Sequence, residues 1–184
     1  MVSIKTTKDK IYKMINDILK SIDYKEDDKT LKIFNLIKSE DESLSKSTLI
    51  KILKWKSPRP LRFYNENEEE NIRNITALAF QQNDDRLKIH ILTALKGVNY
   101  PSASAILMFK NPEYFPVLDI RVWKQLYKNN LVSVNPRGIG FTLDQWISYI
   151  KIIRSLAKQN SMSVREVEKK LFDYDKLTQE GNLY

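Results

Sequence analysis

The chain has no cysteine and a single histidine, His90, among its 184 residues, so any chemistry it performs rests on carboxylates, hydroxyls, lysines and backbone groups. Thiolate nucleophiles, disulfides and iron–sulfur clusters are excluded, and one imidazole is a poor basis for a zinc site. His90 itself lies beside an apolar stripe and reads as a boundary residue rather than a catalyst. The residues whose types and spacing fit a reaction lie in two neighbouring stretches, "LKGVNYPSASAIL" (95–107) and "FPVLDIRVWKQL" (115–126).

Gly97 is the first glycine in the chain and follows an apolar-periodic segment, where a left-handed residue that only glycine adopts without cost ends a helix. Pro101 stands where the next helix begins, a position at which its missing N–H costs nothing. Together they predict two helices joined by a tight hairpin of about four residues, with Ser102, Ala103, Ser104 and Ala105 small enough for close approach. The N–H groups of Asn99, Ser102 and Ala103 at such a helix start can hold a phosphate. Asp119, eighteen residues beyond Pro101, reads in two ways: as the N-cap of the helix "IRVWKQL", or as a carboxylate placed for catalysis.

The elements that must position these residues are helical. Four glycines and six prolines leave little punctuation, and the apolar spacing is close to 3.6 nearly throughout, which predicts an all-α fold. The first helix is expected after Thr7, with Ile11, Met14, Ile15, Ile18, Leu19 and Ile22 in one stripe. A polar loop "DYKEDD" leads to a helix with Leu31, Phe34, Leu36 and Ile37 inward, then a third with Leu49, Ile50, Leu53 and Trp55. "KWKSPRPLRFYNENEEE" reads as a basic, aromatic loop, since Pro58 and Pro60 cannot sit inside a helix. Ile72, Ile75, Ala79 and Phe80 mark the next buried face. Asp84 caps a helix bearing Leu87, Ile91, Leu92 and Leu95, and Thr142 and Ser163 cap the last two. Residues 1–184 thus read as a single all-α domain, with the hairpin at about 84–109 and the aspartate-bearing segment at about 115–128.

The two stretches resemble the helix-hairpin-helix DNA glycosylase superfamily (HhH-GPD), whose usual pattern is Leu-Pro-Gly-Val-Gly, then Thr-Ala, then a Val-Asp-x-x-Val segment. The resemblance covers roughly residues 87–126. In it Lys96 replaces the usual proline, Asn99 the second glycine, and Pro101 the lysine that forms a Schiff base in the bifunctional members. It implies a divergent, monofunctional glycosylase without a cluster, acting in base-excision repair on double-stranded DNA, with Asp119 as the catalytic carboxylate. Lys96, Gly97, Val98, Asn99, Tyr100, Ser102, Ala103, Arg59 and Arg121 would contact DNA, and Trp55, Phe63 and Tyr64 would form a base pocket or wedge. In several members hairpin carbonyls hold a monovalent cation, which would map to Thr93, Leu95 and Val98; no other cofactor is implied. With Asn99 in a left-handed conformation, the turn survives the loss of its second glycine.

A formal net charge of +8 and a pI near 9.4 agree with an anionic partner. No apolar run approaches a membrane span, and the opening residues alternate charge with apolar side chains, so a cytoplasmic protein with no membrane partner is expected; no protein partner is inferred. Two other readings stand beside the glycosylase: a non-enzymatic DNA-binding protein using the same hairpin, and a helical protein-interaction domain whose charge is incidental.

Overall fold

Capping explains where most of the helices begin. The computed structural model describes residues 2–179, with side chains from residue 12 onward, and these residues form ten helices and no strand. They are α1 (Val2–Ser21), α2 (Asp28–Ile37), α3 (Lys46–Lys56), α4 (Leu61–Asn65), α5 (Glu69–Gln81), α6 (Asp85–Leu92), α7 (Tyr100–Lys110), α8 (Ile120–Lys128), α9 (Leu143–Asn160) and α10 (Val164–Thr178). Asp27, Ser45, Asp84, Asn99, Asp119, Thr142 and Ser163 each accept a backbone N–H at a helix start, and Thr142 with Gln145 completes a reciprocal capping box. The fold is all-α, as the periodicity predicts.

Around the core α3 packs on α7, α5 on α6, and α10 on α8, α9 and α1. α7 is buried along most of its length, from Ser102 to Phe109, which is why its apolar residues run without a polar stripe. Trp123, Trp146 and Tyr149 are fully buried among α8 and α9. No described helix is long and apolar enough to cross a membrane.

Several local expectations need correction. α1 begins at Val2, not after Thr7. Met14 is exposed, while Ile15 and Leu19 are buried; Ile11 falls outside the described side chains. α2 turns Thr30, Ile33 and Ile37 inward and leaves Leu31 and Leu36 exposed. Hydrogen bonding chooses that face: the Thr30 hydroxyl donates to Asp27 Oδ2 at 2.9 Å and accepts from Trp55 Nε1 at 3.0 Å, which ties α2 to α3. In α6, Leu87 is exposed and Ile89 takes its place in the core. The proline-rich stretch between α3 and α5 contains the short helix α4, started by Pro60.

α4 docks on the hairpin through Asn67 and Gly97. The buried Asn67 carboxamide accepts the Lys96 N–H at 2.8 Å and donates to the carbonyls of Lys96 (3.1 Å), Phe63 (3.2 Å) and Tyr64 (3.1 Å). Gly97 has φ +81°, and a Cβ there would lie 2.9 Å from Phe63 Cβ and 3.0 Å from Tyr64 Cδ1. Both the backbone conformation and the space therefore require glycine. Gly97→Ala is expected to cost about 2 kcal/mol, from left-handed strain and the displaced aromatic pair. In thermal denaturation that is a midpoint lower by about 4–8 °C for a chain of this size.

Candidate active site

The left-handed Gly97 turn delivers the chain to Asn99, which is extended (φ −109°, ψ 178°) and caps α7 by accepting the Ser102 N–H at 3.1 Å. This corrects the left-handed Asn99 of the sequence reading: one glycine suffices for the reversal, and the asparagine serves as a cap. The consequence for phosphate binding is direct. Ser102 N–H is taken by the Asn99 side chain and Ala103 N–H by the Asn99 carbonyl at 2.8 Å. Pro101 has no N–H, so Tyr100, at the first helical position, offers the amide that a helix start leaves without an intrahelical partner. Of the carbonyls assigned to a monovalent cation, Thr93, Leu95 and Val98, that of Leu95 accepts the Val98 N–H at 3.1 Å.

Asp119 is both the N-cap of α8 and the centre of the site. Its Oδ1 accepts the Arg121 N–H at 2.9 Å, and its Oδ2 accepts from Lys56 Nζ at 2.5 Å. The two side chains are only 12% and 16% exposed. Burial alone would push the Asp119 carboxyl up, but the Lys56 ammonium, its hydrogen bond and the capped N–H outweigh burial and hold it below the usual carboxylate range. It is an anion at neutral pH.

The pair sits on the divide between two cavities. One, of about 310 Å³, opens on the hairpin side and is lined by Asn99 and Pro101, by Arg59 and Pro60 from the α3–α4 elbow, and by the Gly138–Phe141 loop. The other, of about 240 Å³, runs between α3 and α10 and is walled by Trp55, Phe172, Arg165 and Glu168. Lys56 and Asp119 line both. Beneath the second cavity, Arg165 Nε donates to Glu26 Oε1 at 2.6 Å and its Nη1 donates to Glu168, three almost fully buried ionic groups in one network. Burial raises the Glu168 carboxyl, and the nearby Asp119 anion adds to that, against the Arg165 charge.

The residues singled out from the sequence divide by position. Asp119, Asn99, Arg59 and Trp55 line the cavities, and Tyr100 lies at the hairpin, its hydroxyl 3.1 Å from Nδ1 of the exposed His90. Lys96 is exposed at the turn, with Glu66 3.7 Å away. Phe63 is 49% exposed beside the Gly97 turn and is available as a wedge. Tyr64 is not: it is fully buried under the hairpin, 3.5 Å from the Ser102 hydroxyl, and has no face to offer a base. The side chains of Val98 and Ala103 are likewise in the core. Arg121 turns away from the hairpin toward α10, pairing with Asp175 at 3.1 Å and with Gln179. Lys56, Arg165, Glu168 and Phe172 were not foreseen. Arg165 and Glu168, charges set one turn apart on the apolar face of the last helix with Val164, Val167 and Leu171, were the available signal.

No protein-family model matches the chain, and no curated protein matches it. Among solved structures it is similar to the crystal structure of a Methanocaldococcus jannaschii 8-oxoguanine glycosylase/lyase in complex with a 15mer DNA containing 8-oxoguanine. The TM-score is 0.53 at 14% identity, over 95% of this chain and 84% of that one. The fold is DNA-glycosylase-like. At that identity the likeness concerns the path of the chain.

The Asp119 carboxyl is held below an unfolded aspartate, whose ordinary value is about 3.9. Its contribution to stability is therefore complete above about pH 4 and is lost as pH falls through the lowered folded value. Urea unfolding of the protein and of Asp119→Asn at a series of pH values should show a stability gap at pH 7 that closes below about pH 4. A gap that stays constant into acid would contradict the ion pair.

Proposed function

We propose that this protein is a DNA glycosylase of base-excision repair, binding double-stranded DNA through the hairpin and hydrolysing the N-glycosidic bond of a damaged nucleotide at Asp119. The observation that carries the reading is an anionic aspartate on a helix cap, at the divide between a cavity facing the hairpin and an aromatic-walled cavity behind it. A base cannot react inside the duplex, so it must be extruded into a pocket. The cavity between Trp55 and Phe172 suits the extruded base, and the hairpin-side cavity suits the sugar and its phosphates.

As the bond to the base lengthens, positive charge develops at C1′ and the ring oxygen. Asp119 is fixed by the Arg121 N–H and needs no reorientation to face that charge, which is the condition for electrostatic stabilisation to lower the barrier. The departing base leaves with the bonding electrons and is protonated, and water adds at C1′ to give the abasic sugar. The hairpin carries Pro101 where the resemblance places a Schiff-base lysine, so hydrolysis with water as nucleophile is the step this reading assigns to the site. Tyr100 N–H, Lys96 and Arg59 would meet phosphates; Phe63 would fill the space the base vacates.

The test is base release from a panel of duplexes containing uracil, hypoxanthine, alkylated purines or oxidised guanine. One lesion should be released by the protein, with binding that weakens steeply as salt rises. Asp119→Asn should keep the binding and lower the single-turnover release rate by about 10²–10³-fold. Release at the original rate would remove Asp119 from the mechanism. Salt-sensitive binding without release of any base would favour a DNA-binding protein without catalysis, and no binding at low salt would favour a protein-interaction domain.

A further inference from the structure

Pro101 supplies no amine to the hairpin side of the site, but Lys56 does. Lys56, the last residue of α3, reaches across the α3–α4 elbow to place Nζ 2.5 Å from Asp119 Oδ2, and it lines both cavities. Any sugar carbon resting against the Asp119 carboxylate is within a few ångströms of that nitrogen, because the nitrogen already touches the same oxygen. Other lysines near the site are placed for other contacts: Lys169 pairs with Asp173 on its own helix, and Lys96 lies at the exposed turn beside Glu66.

We propose that Lys56 is the nucleophile of a second reaction at this site, cleavage of the DNA strand at the abasic sugar. The proposal rests on the reading of Asp119 as the centre of base release, whose product is a sugar that opens to an aldehyde at C1′. The Lys56 ammonium gives up a proton through the hydrogen-bonded Asp119 carboxylate to solvent, and the free amine adds to C1′. Loss of water leaves a protonated imine. That imine acidifies C2′: its proton passes to Asp119 or water, the C2′–H electrons form a C2′–C3′ double bond, and the C3′–O bond breaks. The downstream strand leaves with a 5′-phosphate. Water then hydrolyses the imine, freeing the unsaturated aldehyde on the upstream strand and returning Lys56. The water lost in imine formation is regained in its hydrolysis, and no oxidant or reductant is needed. Lysine amines form imines of this kind with carbonyl substrates.

The experiment uses the full chain and a duplex carrying a preformed abasic site, so that it does not depend on recognition of a damaged base. Sodium borohydride is added during incubation to reduce any imine to a stable amine link. The expected result is a covalent protein–DNA species whose peptide map places the adduct on Lys56, with strand scission that needs no alkali when borohydride is omitted. Lys56→Arg retains a cation for Asp119 and Lys56→Met retains the length of the stem without the amine; both should lose adduct and scission while the circular dichroism spectrum is unchanged. An adduct that maps to another amine, undiminished trapping in Lys56→Arg, or failure of the wild-type protein to bind or be trapped by the abasic duplex would overturn the proposal. The two readings separate cleanly. Release of a damaged base that requires alkali for scission leaves the glycosylase standing without the Lys56 step; trapping on Lys56 without release of any base leaves a strand-cleaving protein that acts after another enzyme.

Discussion

The docking of α4 on the hairpin is the constraint on which the rest of the site depends. A single buried carboxamide, Asn67, bonds both the N–H and the carbonyl of Lys96 on one side and the end of α4 on the other. Gly97 lets the two backbones approach at that point, where any side chain would collide with Phe63. Because α3 runs into α4 through the short Pro58–Pro60 elbow, fixing α4 also fixes the end of α3, and with it Trp55, Lys56 and Arg59. The hairpin-side cavity exists because the elbow and the hairpin are held face to face. A buried amide that satisfies several backbone groups is costly to replace, since each would be left unpaired in the interior.

The second organising feature is the use of one carboxylate for two purposes. Capping α8 costs Asp119 nothing chemically, since the Arg121 N–H engages one oxygen and leaves the other for Lys56. The cap orients the carboxylate, and the buried ion pair keeps it charged. Isolated, such a pair would be a weak source of stability, because desolvation of both groups offsets their attraction. The pair stands at the meeting point of two cavities, where both charges face enclosed space rather than bulk water.

Much of this was legible in the residues. Gly97 and Pro101 mark the reversal and the start of α7, although α6 ends at Leu92 with Thr93 as its cap, so Leu95 lies outside the helix and the connection runs seven residues rather than about four; the caps at Asp84, Asp119, Thr142 and Ser163 follow from side-chain chemistry. What could not be read is which of two apolar faces a helix buries when both are available. In α2, Leu31 and Leu36 compete with Ile33 and Ile37, and the contest is decided by Thr30 bonding to Trp55, a contact across 25 residues. The pairing of Lys56 was hidden for a similar reason. In sequence it is one cation in a basic, aromatic stretch; it becomes particular only through Asp119, 63 residues away. Tyr64 failed as a pocket residue because composition cannot tell an aromatic that lines a loop from one buried beneath it.

The walls of the inner cavity come from Asp27, from Trp55 and Lys56, from Val117 and Asp119, and from Arg165 to Phe172 on α10. α10 also holds the early part of the chain: Arg165 pairs with Glu26, and Lys170 donates to the Leu19 carbonyl. During synthesis, the hairpin and Asp119 emerge from the ribosome well before α10, and until α10 arrives the Glu26 carboxylate has no cation and the cavity has no far wall. The nascent chain thus holds the hairpin and the capped aspartate before it holds the enclosed cavity behind them. Arrival of α10 therefore closes the inner cavity and pairs the buried Glu26 and Glu168 carboxylates with Arg165 in one event.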